Sequence, residues 1–223
     1  MNPAQVQARW GVVMAKTVRE LQGVSCIELS DHEEARKQIA CTRSFGKPVR
    51  ELGQLENAIS EFASRAAQRL RNQESLAGQI LVFAGSSPLR RNEPQYSRSL
   101  TLAMPSPTDD TRLLVDTACL LMKKIYRPGI SFARAGVMLM ELQSVSVWQH
   151  RLDLDDPQAD SLDGGRGASR LMRALDGVNT RWGRDTLQVG SALKSAAPNW
   201  QTKRERLTPR YTTCWEEMAI ART

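Results

Sequence analysis

Histidine is almost missing from this chain: among 223 residues there are two, His32 and His150. They are too far apart in sequence to make a Ser/His/Asp or Cys/His nucleophile set plausible, and His-based metal chemistry starts from a poor position. The four cysteines, Cys26, Cys41, Cys119 and Cys214, are scattered without paired spacing. That argues against a zinc site and a disulfide framework, and it fits a reducing cytoplasm. No run of about 18 apolar residues is present, so no membrane partner is expected. The opening residues, Met1-Asn-Pro-Ala-Gln, lack the basic start and apolar core of a secretory signal. A cytoplasmic location is the expectation. No internal repeat is visible.

What remains is ordinary globular material, 41% hydrophobic and 25% charged, enough for one large or two small domains. The net charge is +7 and the pI about 9.6, and the excess is uneven. From Asp163 to Thr223 eleven Lys/Arg face six Asp/Glu. A basic balance is compatible with a nucleic-acid partner.

The spacing of Val6, Trp10, Val13 or Met14, Thr17 and Leu21 predicts one helix from Gln5 to Leu21, stopped by Gly23. An extended linker from Val24 to Glu34 follows. A strand comes next, with Ile39, Cys41 and Phe45 alternating with polar residues and Gly46 and Pro48 closing it. Gln54–Gln73 is a helix whose stripe is Leu55, Ala58, Ile59, Phe62, Ala63, Ala66 and Leu70. Gly78–Ser87 reads as a strand apolar on both faces, hence central. Arg98–Met104 reads as an alternating strand, with Leu100, Leu102 and Met104 opposite Ser99, Thr101 and Ala103. Thr108-Asp-Asp is expected to cap a second helix and supply its first-turn acids, and Pro128-Gly129 to end it. Phe132–Leu142 completes a β-α-β-β-α-β order. The predicted class is α+β: four antiparallel strands with both helices on one face. The other face stays open and must be polar or covered. Arg43 or Ser44, Arg98 or Ser99, and Arg134 are its candidates, because arginine and serine both donate to phosphate oxygens.

Residues 143–167, rich in aspartate and ending in Gly164-Gly-Arg-Gly167, read as a flexible linker. A short helix over Ala168–Val178 follows, and then a basic tail with Trp182, Trp200, Tyr211 and Trp215. The tail could stack on single strands, form a small packed subdomain, or present a protein-binding surface; packing is the favoured reading.

Four motifs occur in order: Thr17-Val-Arg-Glu-Leu-Gln-Gly23, Cys41-Thr-Arg-Ser-Phe-Gly46, Ala135-Gly-Val-Met-Leu139 and Leu207-Thr-Pro-Arg-Tyr-Thr-Thr213. Together they resemble the C-terminal half of the UmuC family, the catalytic subunits of DNA polymerase V-type translesion enzymes of the Y family. The resemblance covers nearly the whole chain. It implies the end of a thumb in residues 1–30, a DNA-binding little finger domain in 35–143, a linker in 144–167, and an extension of unknown role in 168–223.

The resemblance further implies a sheet face that grips damaged or primer–template DNA through both backbones. The expected contacts are Arg43, Ser44, Arg98, Ser99 and Arg134, with Lys47, Arg90 and Arg91 from loops. In Gln149-His-Arg-Leu-Asp-Leu154, Gln149, Leu152 and Leu154 match a sliding-clamp docking motif, with Leu154 where phenylalanine is commoner. The processed UmuD dimer and the RecA filament are further implied partners, with no residues assigned.

Nucleotidyl transfer in that family needs palm carboxylates holding two Mg²⁺ ions, and these would lie before this chain begins. Asp109-Asp110 reads as a helix cap, and Asp155-Asp156 sits in a linker without a rigid partner. Gly164-Gly-Arg-Gly lacks the lysine and strand–helix context of a phosphate loop. The chain is therefore expected to hold no cofactor and to make no DNA alone, either as a docking piece or as half of a split polymerase active in trans. An RNA-binding βαββαβ domain would need stacking aromatics on its central strands. Strand Gln79–Ala84 offers only Phe83.

Overall fold

A computed structural model describes residues 2–26, 35–90, 92–146, 164–190, 200 and 207–218, with backbone alone for 164–169. The chain forms two compact units, Met1–Ala35 and Arg36–Thr223.

The first unit contains α1 (Pro3–Trp10) and α2 (Val12–Leu21). The Asn2 side chain caps α1 by accepting from the Ala4 N–H at 2.9 Å, and Pro3 occupies the first turn, where a missing N–H does no harm. The single helix expected from periodicity is two helices. Gly11 separates them at φ 87°, a conformation that glycine alone adopts at little cost. Gly23, at φ 83°, ends α2 as expected. Val6 and Ala15 are buried, while Trp10, Val12, Val13, Met14 and Leu21 are exposed.

The second unit runs β1 (Ile39–Val49), α3 (Leu52–Asn72), β2 (Ser75–Gly85), β3 (Ser97–Thr108), α4 (Thr111–Ile125), β4 (Phe132–Ser144) and α5 (Gly164–Trp182). The strands form one antiparallel sheet in the order β1-β4-β2-β3. The α+β expectation holds, with β2 central as its two apolar faces required. Strand β1 passes through Gly46 and Pro48 rather than stopping there. Its register with β4 shifts between Ser44 and Val49, and an edge strand at a bulge is where proline is tolerated.

The helical side makes the core. Leu55, Ala58, Ile59, Phe62, Ala63, Ala66 and Leu70 of α3 pack with Leu114, Ala118, Met122 and Ile125 of α4 over Ile39, Ile80, Val82, Val137 and Leu139. Fully burying each larger side chain stabilises by about 1.5–3 kcal/mol.

The cap of α4 is Asp110, not Thr108. The Asp110 carboxylate accepts from the Arg112 N–H at 2.9 Å, and Thr108 Oγ1 accepts from the Asp110 N–H at 3.1 Å. Both acids therefore precede the helix instead of filling its first turn. Burial acts to raise the Asp110 carboxyl, but the Arg112 guanidinium and N–H outweigh it and hold the group below its ordinary value. Burial raises Asp109, against the nearby Arg71 charge.

α5 begins inside the stretch read as linker. It docks where α3 and α4 meet: buried Met172 accepts the Thr111 N–H on its sulfur at 3.4 Å. Asp176 receives a two-pronged Arg71, with Nε at 2.6 Å and Nη2 at 2.8 Å. Trp200 is also buried, edge-on to Phe62 with ring centroids 5.5 Å apart. Of the tail's aromatics, Trp200 joins the core of the sheet unit rather than a subdomain of the tail's own, whereas Trp182, Tyr211 and Trp215 are exposed.

Candidate nucleic-acid interface

Alternation along the strands decides which side chains leave the core. Directly paired residues in an antiparallel sheet share a face. Ile39 and Cys41 are buried under α3, so Ala40, Thr42 and Ser44 point to the other side. The register then gives three rows across all four strands: Ala40–Met138–Leu81–Thr101, Thr42–Gly136–Phe83–Ser99 and Ser44–Arg134–Gly85–Ser97. The core helices α3 and α4 pack on the opposite face. Its central residues Leu81, Phe83 and Met138 are half-buried, and the flanking hydroxyl residues are exposed.

Two glycines shape the surface. A Cβ on Gly136 would lie 2.5 Å from the Thr42 methyl and 2.7 Å from the Phe83 ring, so the ring lies over the bare backbone. At Gly85 a Cβ would sit 3.4 Å from both Arg134 Nε and Ser97 Oγ. The Arg134 side chain therefore lies close over Gly85. Arg134 and the Ser44, Ser97, Ser99, Thr42 and Thr101 hydroxyls make a face of donors around a narrow apolar centre. Such a set can hold phosphate oxygens.

Ser44, Ser99 and Arg134 lie on this face. Arg43 and Arg98 do not share it by register: Arg43 pairs with Ala135 and Arg98 with Ala84, and both alanines are buried in the core. Both arginines are nonetheless exposed, at opposite edges of the sheet. Burial raises the Cys41 thiol, and the Arg69, Arg65 and Arg43 charges work against that rise, which puts Arg43 on the helical side. Lys47 is exposed in the bulged end of β1. Arg90 is paired with Glu93 at 3.2 Å, in a loop fixed by the Gln95 amide donating to the Ser87 and Arg90 carbonyls. Arg91, Gln149, Leu152 and Leu154 fall outside the described residues. Sequence reasoning missed Ser97, Thr42 and Thr101 as site residues, although their place in the alternation with Ser99 and Ser44 could have found them.

Among the described residues no group of three or more His, Cys, Asp or Glu is placed to hold a metal ion, and no helix is long and apolar enough to cross a membrane.

Comparison with known proteins gives two family matches. Residues 36–154 match the impB/mucB/samB family C-terminal domain, and residues 169–221 match a domain of unknown function, DUF4113. Protein ImpB of Salmonella typhimurium is 34% identical over 221 residues, 99% of this chain and 50% of that protein. Protein UmuC of Salmonella typhimurium strain LT2 is 36% identical over 214 residues, 96% and 49% of the two chains. Protein MucB of Escherichia coli is 34% identical over 216 residues, 97% and 49%. The chain spans about half the length of the curated relatives it matches.

Proposed function

Because the chain belongs to the impB/mucB/samB family, we propose that it is the DNA-gripping C-terminal half of a UmuC-like, error-prone translesion polymerase. In this reading the open sheet face straddles duplex DNA and takes its phosphates on Arg134 and the surrounding hydroxyls, with Arg43 and Arg98 at the two edges. Phosphate contacts fix position without reading sequence, which suits an enzyme that must accept damaged template in repair. The observation that supports it most is the uncovered row Ser44–Arg134–Gly85–Ser97.

The test is a primer–template titration over a range of salt. Arg134→Ala should weaken binding about equally across sequences and reduce the log–log salt slope by about 1. Unchanged affinity and slope would remove the sheet face as the contact.

Gln149, Leu152 and Leu154 are proposed to dock a sliding clamp, and a peptide of residues 145–156 that fails to bind clamp would end that part. DNA synthesis itself is assigned to palm carboxylates and Mg²⁺ outside this chain; the processed UmuD dimer and the RecA filament remain proposed partners. A second reading, assembly in trans with a palm-containing fragment, draws on the exposed apolar residues Val12, Val13, Met14 and Leu21 of α2. Primer extension by the mixture, absent from either piece alone, would distinguish it.

A further inference from the structure

The helical side carries a second basic feature, away from the sheet face. A cleft of about 310 Å³ lies between α3, α5 and the turn after α5, with Arg43 of β1 at its edge. Among the described residues five arginines line it, Arg43, Arg65, Arg69, Arg71 and Arg184, against three acids, Glu61, Asp176 and Asp185.

These arginines divide by what they already hold. Arg65 is paired with Glu61. Arg71 is fixed by Asp176, the Asp109 carbonyl and Thr111. Arg69 gives one N–H to the Ala40 carbonyl at 3.1 Å. The side chains of Arg43 and Arg184 have no hydrogen bond or ion pair with any described residue. Two of the three acids are thus occupied by structural arginines, and the side chains of two further arginines line the cleft without a partner among the described residues.

The wall carrying Arg184 is built in advance. Asn179 clasps Leu187 from both sides, donating to its carbonyl at 3.0 Å and accepting from its N–H at 2.9 Å. Thr186 Oγ1 donates to the Gly183 carbonyl at 2.8 Å. Gly183 and Asp185 both sit at positive φ in this turn.

We infer that this cleft is an anion site that takes phosphate groups. Donors reach it from three directions: Arg43 from β1, Arg69 and the Gln68 and Asn72 amides from α3, and Arg184 and Gln188 from the turn. A tetrahedral phosphate offers acceptor oxygens in several directions, whereas a carboxylate offers two in one plane. Guanidinium pairs are the strong partners for such oxygens. An acidic peptide would also need apolar seats for its neighbouring side chains, and among the described residues the apolar lining is limited to Leu175, Leu187 and Val189. Among the described residues no aromatic lines the cleft, so a nucleobase finds no ring to stack on there. The phosphate can belong to a single strand's backbone or to a free phosphorylated compound.

The experiment uses the full chain and follows the arginine Nε–H resonances by NMR during three titrations: pyrophosphate, an oligothymidylate of about 12 nucleotides, and a polyglutamate peptide. The inference requires the Arg43 and Arg184 signals to shift and saturate with pyrophosphate or the oligonucleotide. Saturation with pyrophosphate alone identifies a free phosphorylated ligand. Tighter binding of the oligonucleotide identifies a strand. Arg184→Glu should weaken the interaction by about tenfold or more, at an unchanged melting temperature because Arg184 is exposed. Absence of both responses, indifference to Arg184→Glu, or tighter binding of polyglutamate overturns the assignment. Arg43 alone is common to this cleft and the sheet-face reading, so the decision rests on Arg184. The outcome leaves the Arg134 test with primer–template DNA independent.

Discussion

Replacing Arg71 with alanine should cost this fold about 3 kcal/mol, near the lower end of the range for breaking a buried ion pair. The Arg71 side chain is 8% exposed and that of Asp176 is 22% exposed, so the pair is largely withdrawn from water without being sealed. Four N–H contacts leave the one guanidinium: two to the Asp176 carboxylate, one to the Asp109 carbonyl at 2.8 Å and one to Thr111 Oγ1 at 2.8 Å. They join α3, the start of α4 and α5 at one point. Truncation removes the attraction and leaves the half-buried Asp176 carboxylate without its guanidinium partner. The partial exposure of Asp176 keeps the penalty from the upper end of the range, because water can reach the abandoned carboxylate.

At about 2–4 °C per kcal/mol for a protein of this length, the melting point should fall by roughly 6–12 °C. Urea unfolding read by circular dichroism gives the free energy directly. A double-mutant cycle with Asp176→Ala isolates the pair, and Arg71→Met with Asp176→Leu should restore most of the loss, since an apolar pair of similar bulk often matches a buried ion pair. A loss below about 1 kcal/mol, or simple additivity of the two alanine variants, would refute the claim that this contact fastens α5.

Four further outcomes follow from the same structure. Asp110→Ala should cost about 1 kcal/mol as a lost helix cap, measured by urea unfolding, whereas Asp110→Asn keeps the cap. Acid should weaken the protein through Asp110: its folded pKa is depressed, so its contribution is complete above the ordinary carboxylate value of 3.8 and disappears as pH falls through the folded value. Asp110→Asn should flatten that decline. Asp109 has the opposite sign, because a raised folded pKa makes the ionised carboxylate unfavourable at neutral pH; Asp109→Asn should leave neutral-pH stability equal or higher, by urea midpoint. Gly136→Ala should lift the Phe83 ring from the sheet and cost about 1–3 kcal/mol, with altered Phe83 ring signals in NMR.

The strands and the α3 stripe were legible because period-two and period-3.6 patterns were strong in those segments. Other features were settled by contacts that sequence does not display. Gly164-Gly-Arg-Gly167 has poor helix propensity, each glycine costing about 1 kcal/mol against alanine, yet α5 includes it because Met172 and Asp176 dock further along. Trp10 and Val13 fit one continuous helix until Gly11 takes positive φ. The choice between Arg43 and Ser44 was present in the alternation: Ile39 and Cys41 face the core, so Ser44 falls on the opposite side. The sheet order, with β4 between β1 and β2, and the convergence of Arg43 with Arg184 depend on tertiary closure alone.

Trp200 seated on Phe62 has a practical meaning for anyone dividing this polypeptide. The two family matches meet between residues 154 and 169, which invites a cut there. A shorter piece ending after the fourth strand would lose the indole from Phe62, the thioether from the start of α4 and the carboxylate from Arg71 in one stroke. It would present bare apolar surface to water, and its poor solubility would say nothing about whether the sheet holds nucleic acid.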